Sequence, residues 1–199
     1  MKTIFIPAKG TLNLDKIKEI KINEKLGLVT TIQYVNYLKD INKIIKNSVI
    51  GGKILGCNVD NALKIKNKVD SYLYIGTGEF HPVEVALETG KRVYTFNPIT
   101  NEFSELKNVE EFKKKQKGAY LRFLNAKKIG ILVSTKPGQC NLNLALKLKK
   151  TIKKEIFIFL CDNIREEELE NFPDIDYWVN TACPRITGKG IINVGEVLK

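Results

Sequence analysis

Short runs of apolar and β-branched residues alternate with stretches of helical periodicity along the chain. The runs predict strands over residues 3–6, 26–31, 53–55, 72–75, 93–96, 129–134, 156–160, 177–179 and 191–194. Runs without a polar alternate, such as Ile156-Phe157-Ile158-Phe159-Leu160, suit parallel strands buried on both faces. Between them the period lengthens. Residues 34–46 place Val35, Leu38, Ile41 and Ile45 on one helical face, and residues 142–154 place Leu142, Ala145, Leu148 and Ile152 against a lysine face. Further helices are expected over 83–89, after Pro82, and over 108–128 and 165–171. The alternation predicts an α/β fold: two similar open lobes with mainly parallel sheets. A polar region, 97–116, breaks the rhythm, and the boundary is expected near residue 125. The lobes then span 24–125 and 126–199, after a leading strand and linker over 1–23 that read as the remnant of something larger.

Composition narrows the class. Hydrophobic residues at 43% and charged residues at 28% exclude wholesale disorder. No apolar run approaches the roughly 18–20 residues of a membrane span, and the apolar start stops at Pro7, too early for a secretory signal. A soluble, cytoplasmic protein is expected. The net charge of +11 invites a nucleic-acid reading, but the lysines are scattered over helices rather than gathered in one stripe, so no direct nucleic-acid partner is expected. The four cysteines, Cys57, Cys140, Cys161 and Cys183, form no Cys-x-x-Cys pair, which removes local zinc and thioredoxin-like motifs.

In open α/β sheets ligands bind beyond the carboxyl ends of strands, and four loops there carry chemistry. Leu55-Gly56-Cys57-Asn58 puts a cysteine between a strand and a helix, where a thiolate is favoured; packing is the ordinary alternative. Gly76-Thr77-Gly78-Glu79-Phe80-His81-Pro82 brings two close glycines and the one histidine of the chain, but not a full dinucleotide fingerprint. Ser134-Thr135-Lys136-Pro137-Gly138-Gln139-Cys140 suits a small anion or zwitterion and lacks the P-loop order. Asn180-Thr181-Ala182-Cys183-Pro184-Arg185 sets a cysteine before a proline, a frequent setting of cluster ligands. Cys161 reads as a packing residue, and Cys140 as a packing residue or a neighbour of the site.

These loops, with Leu28-Val29-Thr30-Thr31-Ile32-Gln33 and Phe172-Pro173-Asp174-Ile175-Asp176, occur in an order that strongly resembles the archaeal diphthamide synthase family, over about residues 25–185. The resemblance implies a three-lobed α/β enzyme, usually dimeric. Each lobe gives one cysteine to a [4Fe–4S] cluster, and S-adenosylmethionine binds its open iron. Radical chemistry then transfers a 3-amino-3-carboxypropyl group to a histidine of translation elongation factor 2. By motif, Cys57 matches the middle-lobe ligand and Cys183 the third-lobe ligand. Gly76, Thr77, Gly78 and Gln139 would position the methionine part of the cofactor. Arg185 would balance its carboxylate or form a salt bridge, and His81 would orient substrate or stay structural. The family's first lobe precedes the region matched here. The expectation is therefore a split or partner-dependent transferase, with the site in the cleft between the lobes and a homo- or hetero-oligomeric partner supplying the missing lobe and thiolate. The alternative is a shortened, non-catalytic paralogue that binds elongation factor 2 or a synthase chain.

Overall fold

The structure, a computed structural model, describes Ile4, residues 6–56 and residues 58–198. The chain divides into two compact units, residues 1–109 and 110–199.

The first unit opens with α1 (Leu14–Lys18), capped by Asn13, whose side chain accepts the Asp15 N–H. Then follow β1 (Leu26–Thr30), a 3₁₀ segment (Ile32–Tyr37) running into α2 (Leu38–Ile44), and β2 (Ser48–Lys53). After these come α3 (Asp60–Leu63), β3 (Ser71–Ile75), α4 (Phe80–Thr89), β4 (Val93–Phe96) and β5 (Phe103–Glu105). The sheet order is β2-β1-β3-β4-β5, with only the β4–β5 pair antiparallel. β1 and β3 are buried along their whole length, as expected of central parallel strands. Leu26, Leu28, Leu73 and Ile75 pack with Ile17, Leu38 and Ile41 on one face. On the other face the Tyr72 hydroxyl donates to the Ala62 carbonyl in α3 (2.7 Å), and burial pushes its pKa up to about 12.

The second unit contains α5 (Val109–Asn125), β6 (Lys128–Ser134), α6 (Leu142–Thr151), β7 (Glu155–Cys161), α7 (Glu166–Leu169), β8 (Tyr177–Asn180), β9 (Ile191–Asn193) and α8 (Val194–Val197). Its sheet, β7-β6-β8-β9, is parallel throughout. Strand alternation sorts its core. Ile129, Ile131, Val133, Tyr177 and Val179 face Phe123, Ala145 and Leu148, while Leu132 and Trp178 face the opposite side. There Trp178 meets Phe159 (ring centroids 4.8 Å apart) and Phe172 (6.0 Å), which gives the Phe-Pro-Asp-Ile-Asp motif a packing role.

The expected α/β class with mainly parallel sheets holds. Several elements differ from the sequence reading. β2 occupies 48–53 rather than 53–55, because Gly51 and Gly52 form a bulge opposite Leu28 and Val29 that hides the β pattern. The helix expected over 34–46 begins as 3₁₀ and becomes α-helical only at Leu38. α1 and β5 lie in segments read as linker and polar region. β7 is an edge strand, and Phe157 (42% exposed) and Leu160 (56%), which point to opposite faces, are exposed instead of being buried on both sides. Of the strand expected over 3–6, Ile4 and Ile6 are exposed and in no strand, and the other two positions lie outside the described residues.

Candidate functional site

Both units share one strand order. The first strand pairs with the second on one side and with the third on the other, and the fourth lies outside the third. The winding therefore reverses between β1 and β3 in the first unit, and between β6 and β8 in the second. These are the positions where α/β sheets open a crevice at their carboxyl ends. In each unit a buried threonine closes the crevice floor. The Thr30 hydroxyl donates to the Ile75 carbonyl (2.6 Å), and the Thr181 hydroxyl donates to the Leu132 carbonyl (2.8 Å).

In the first unit the Gly76–Gly78 loop leaves β3 at this crevice. The Gly76 N–H is spent on the Phe96 carbonyl (3.0 Å), so that donor is not available to a ligand. Thr77 and Gly78 are exposed, and Gly78 has φ +71°, which a side chain would strain. The Tyr74 hydroxyl approaches the Thr77 carbonyl at 3.4 Å, and burial raises its pKa. His81 is part-buried in the first turn of α4. Its ring stacks on Tyr74 (5.8 Å, 10°) and meets Phe80 edge-on (5.6 Å). The neighbouring loop after β2 comes against the same cluster, since a Cβ on Gly56 would lie 1.8 Å from Cε1 of Phe80. Leu55 and Asn58 exchange both backbone hydrogen bonds (3.0 and 3.1 Å). Cys57 itself lies outside the described residues.

In the second unit two loops meet at the crevice. Asn141, the N-cap residue of α6, donates through Nδ2 to the Thr181 carbonyl at 2.5 Å. That bond ties the Gln139-Cys140-Asn141 segment to Thr181-Ala182-Cys183. Gln139 is part-buried, and its N–H closes a turn on the Lys136 carbonyl (3.0 Å). On its other flank the 134–139 loop is fastened to the end of β7: Thr135 bonds Asp162, and Lys136 Nζ donates to Asn163 (2.5 Å). Cys183 is part-buried on the turn after β8, and Arg185 is exposed two residues on.

The cysteines differ in environment. Cys140 is exposed. Cys161 ends β7 with Sγ 4.0 Å from the Val133 carbonyl, and burial, followed by Glu168 and Asp162, raises its pKa, which disfavours the thiolate. Among the described residues no three His, Cys, Asp or Glu side chains converge on a metal-sized point. No helix among the described residues is long and apolar enough to cross a membrane.

Sequence reasoning gave Asn180 no role of its own in its loop, and missed Asn193 and Asn141. Asn180 is 1% exposed, and its Nδ2 donates to the Cys183 carbonyl (2.9 Å) and to Asn193 Oδ1 (2.7 Å). An asparagine closing an apolar strand beside a Cys-Pro turn was the available signal.

The chain is 32% identical to the 2-(3-amino-3-carboxypropyl)histidine synthase of Pyrococcus horikoshii, an alignment covering 92% of this chain and 59% of the relative. It is also 32% identical to the synthase of Methanocaldococcus jannaschii, covering 94% of this chain and 56% of that protein. The chain therefore spans little more than half the length of these relatives. Its fold matches the crystal structure of Pyrococcus horikoshii Dph2 with a 4Fe–4S cluster, with a TM-score of 0.74 and 29% identity, over 93% of this chain and 58% of that one. The profile of the diphthamide synthesis proteins matches residues 1–189, so the resemblance carried by the loop motifs holds, and the chain belongs to the diphthamide synthesis protein family.

Proposed function

We propose that this chain is a partner-dependent part of a 2-(3-amino-3-carboxypropyl)histidine synthase, contributing the Cys57 and Cys183 thiolates to a [4Fe–4S] cluster. The observation that carries the reading is the Cys183 turn at the crevice of the second unit. It presents a part-buried thiol on backbone fixed by Asn180, followed by a proline that offers no competing N–H. That environment fits a cluster ligand, whereas partial burial and the neighbouring Glu168 and Asp162 raise the Cys161 pKa and disfavour its thiolate. When bound, the cluster supplies the single electron that breaks the sulfur–Cγ bond of S-adenosylmethionine.

The protein's own residues bind and orient. Thr77 and Gly78 expose backbone at the first crevice, and Gln139 offers a side-chain amide at the second, each suited to the amino and carboxylate groups of the methionine moiety. Arg185 supplies positive charge for that carboxylate. His81, held between Tyr74 and Phe80, shapes the wall of the first crevice. The acceptor is a histidine of translation elongation factor 2, and the remaining thiolate comes from outside the two units described above.

Anaerobic reconstitution with iron and sulfide tests this. A broad absorption near about 400 nm, typical of thiolate-ligated clusters, is expected with the partner chain present. It should be lost in Cys57→Ala and Cys183→Ala and kept in Cys161→Ala. Label from S-adenosylmethionine should then reach elongation factor 2. A cluster indifferent to Cys183 overturns the assignment.

A further inference from the structure

We infer that Asn180 is a positioning residue that fixes the Cys183 thiol for ligation, supported by Asn193; this rests on the assignment of Cys183 as a cluster ligand. Asn180 ends β8 and Asn193 ends β9, and the two are paired in register. The Asn180 side chain is fully engaged. Nδ2 donates to the Cys183 carbonyl (2.9 Å), to Asn193 Oδ1 (2.7 Å) and, at greater length, to the Ile186 carbonyl (3.4 Å), while Oδ1 accepts the Ala182 N–H (2.9 Å). Asn193 in turn donates through Nδ2 to the Pro184 carbonyl (3.0 Å). Both carbonyls of the Cys183-Pro184 pair are therefore held by side chains rooted in two adjacent strands.

The chemistry of the turn explains the arrangement. Pro184 has no N–H, so the turn cannot be pinned by a backbone donor at that position and is pinned through its carbonyls instead. The Ile186 N–H also donates to the Cys183 carbonyl (3.0 Å) and closes the turn; the two asparagines add a side-chain hold on both carbonyls that merely joining β8 to β9 does not require. Burying an amide to hold them is costly unless all its partners are met, and a fully met buried network selects one geometry. A metal ligand needs that geometry, because a loose supporting shell loses affinity even when the ligand is present.

Iodoacetamide labelling of the whole chain at one fixed pH, read cysteine by cysteine by mass spectrometry, tests the inference. Asn180→Ala and the less buried Asn193→Ala should label Cys183 about tenfold faster, the scale expected from losing these hydrogen bonds. Cys161, part-buried against β6 in the same unit, should keep its rate. An unchanged Cys183 rate in both variants overturns the inference, as does Cys161 accelerating in step with Cys183 in both. After reconstitution, both variants should retain less iron on desalting and show shifted g-values of the reduced cluster. Unchanged iron and g-values also overturn the inference. If Cys183→Ala loses no iron, the ligand assignment fails, and the labelling still decides whether Asn180 holds the turn.

Discussion

Single residues repeat between the units although the sequences do not. Asp176, just before β8, accepts the N–H groups of Lys127 and Lys128 at 2.8 Å each, where β6 begins. Asp70, just before β3, accepts the Lys25 N–H at 2.9 Å, where β1 is about to begin. Each unit thus uses an aspartate to tie the starts of its two central strands, and a threonine to tie their ends. The two backbone donors hold the Asp176 carboxyl below its ordinary value of 3.8. The folded state therefore binds this proton less readily than the unfolded chain does. Its stabilisation is complete above the ordinary carboxylate range and is lost as pH falls through the lowered value. The melting temperature is expected to drop between about pH 5 and pH 2, and less steeply in Asp176→Asn; equal slopes in thermal unfolding would remove Asp176 from the account. Such ties were not legible in the sequence, since an aspartate before a strand looks like any turn residue until the partner strand is placed.

At the scale of elements, the central strands were readable because burial on both faces leaves uninterrupted apolar runs, as in Tyr72–Ile75 and Ile129–Ser134. β2 was misplaced because its bulge is made of glycines, and β5 was missed because all three of its residues are exposed. The loops were legible for a different reason. Their glycines, prolines and cysteines follow strands directly, and three of the four loops singled out lie where the sheets reverse. What the sequence does not display is how one loop leans on another. Gly56 lies against the Phe80 ring, so the segment leading to Cys57 and the first turn of α4 share one packed contact. Gly56→Ala is expected to cost about 1–3 kcal/mol through overpacking and to disturb the Tyr74–His81 stack. Chemical denaturation measures the first effect and the chemical shift of the His81 ring protons the second.

At the scale of the whole molecule, each unit holds apolar cores built from its own strands and helices. Residues 110–199 made alone are expected to melt in one cooperative transition, and a gradual, non-cooperative loss of signal would contradict this. The two-lobed α/β organisation was readable from alternation, and the loops at the carboxyl ends of the strands from their residue types. The amides that hold Cys183 were not, because their role exists only once β8 and β9 lie side by side. The open edge of β7 has a consequence for handling the protein. Ile156-Phe157-Ile158-Phe159-Leu160 is an uncharged, β-prone segment on a strand paired along one edge only among the described residues, the composition that seeds intermolecular cross-β stacking. Its flanks, Lys153, Lys154, Glu155 and Asp162, act as charged gatekeepers whose influence salt would screen. Leu160→Lys should delay turbidity at high salt without lowering the melting temperature, which would make shelf life a property of this one strand edge.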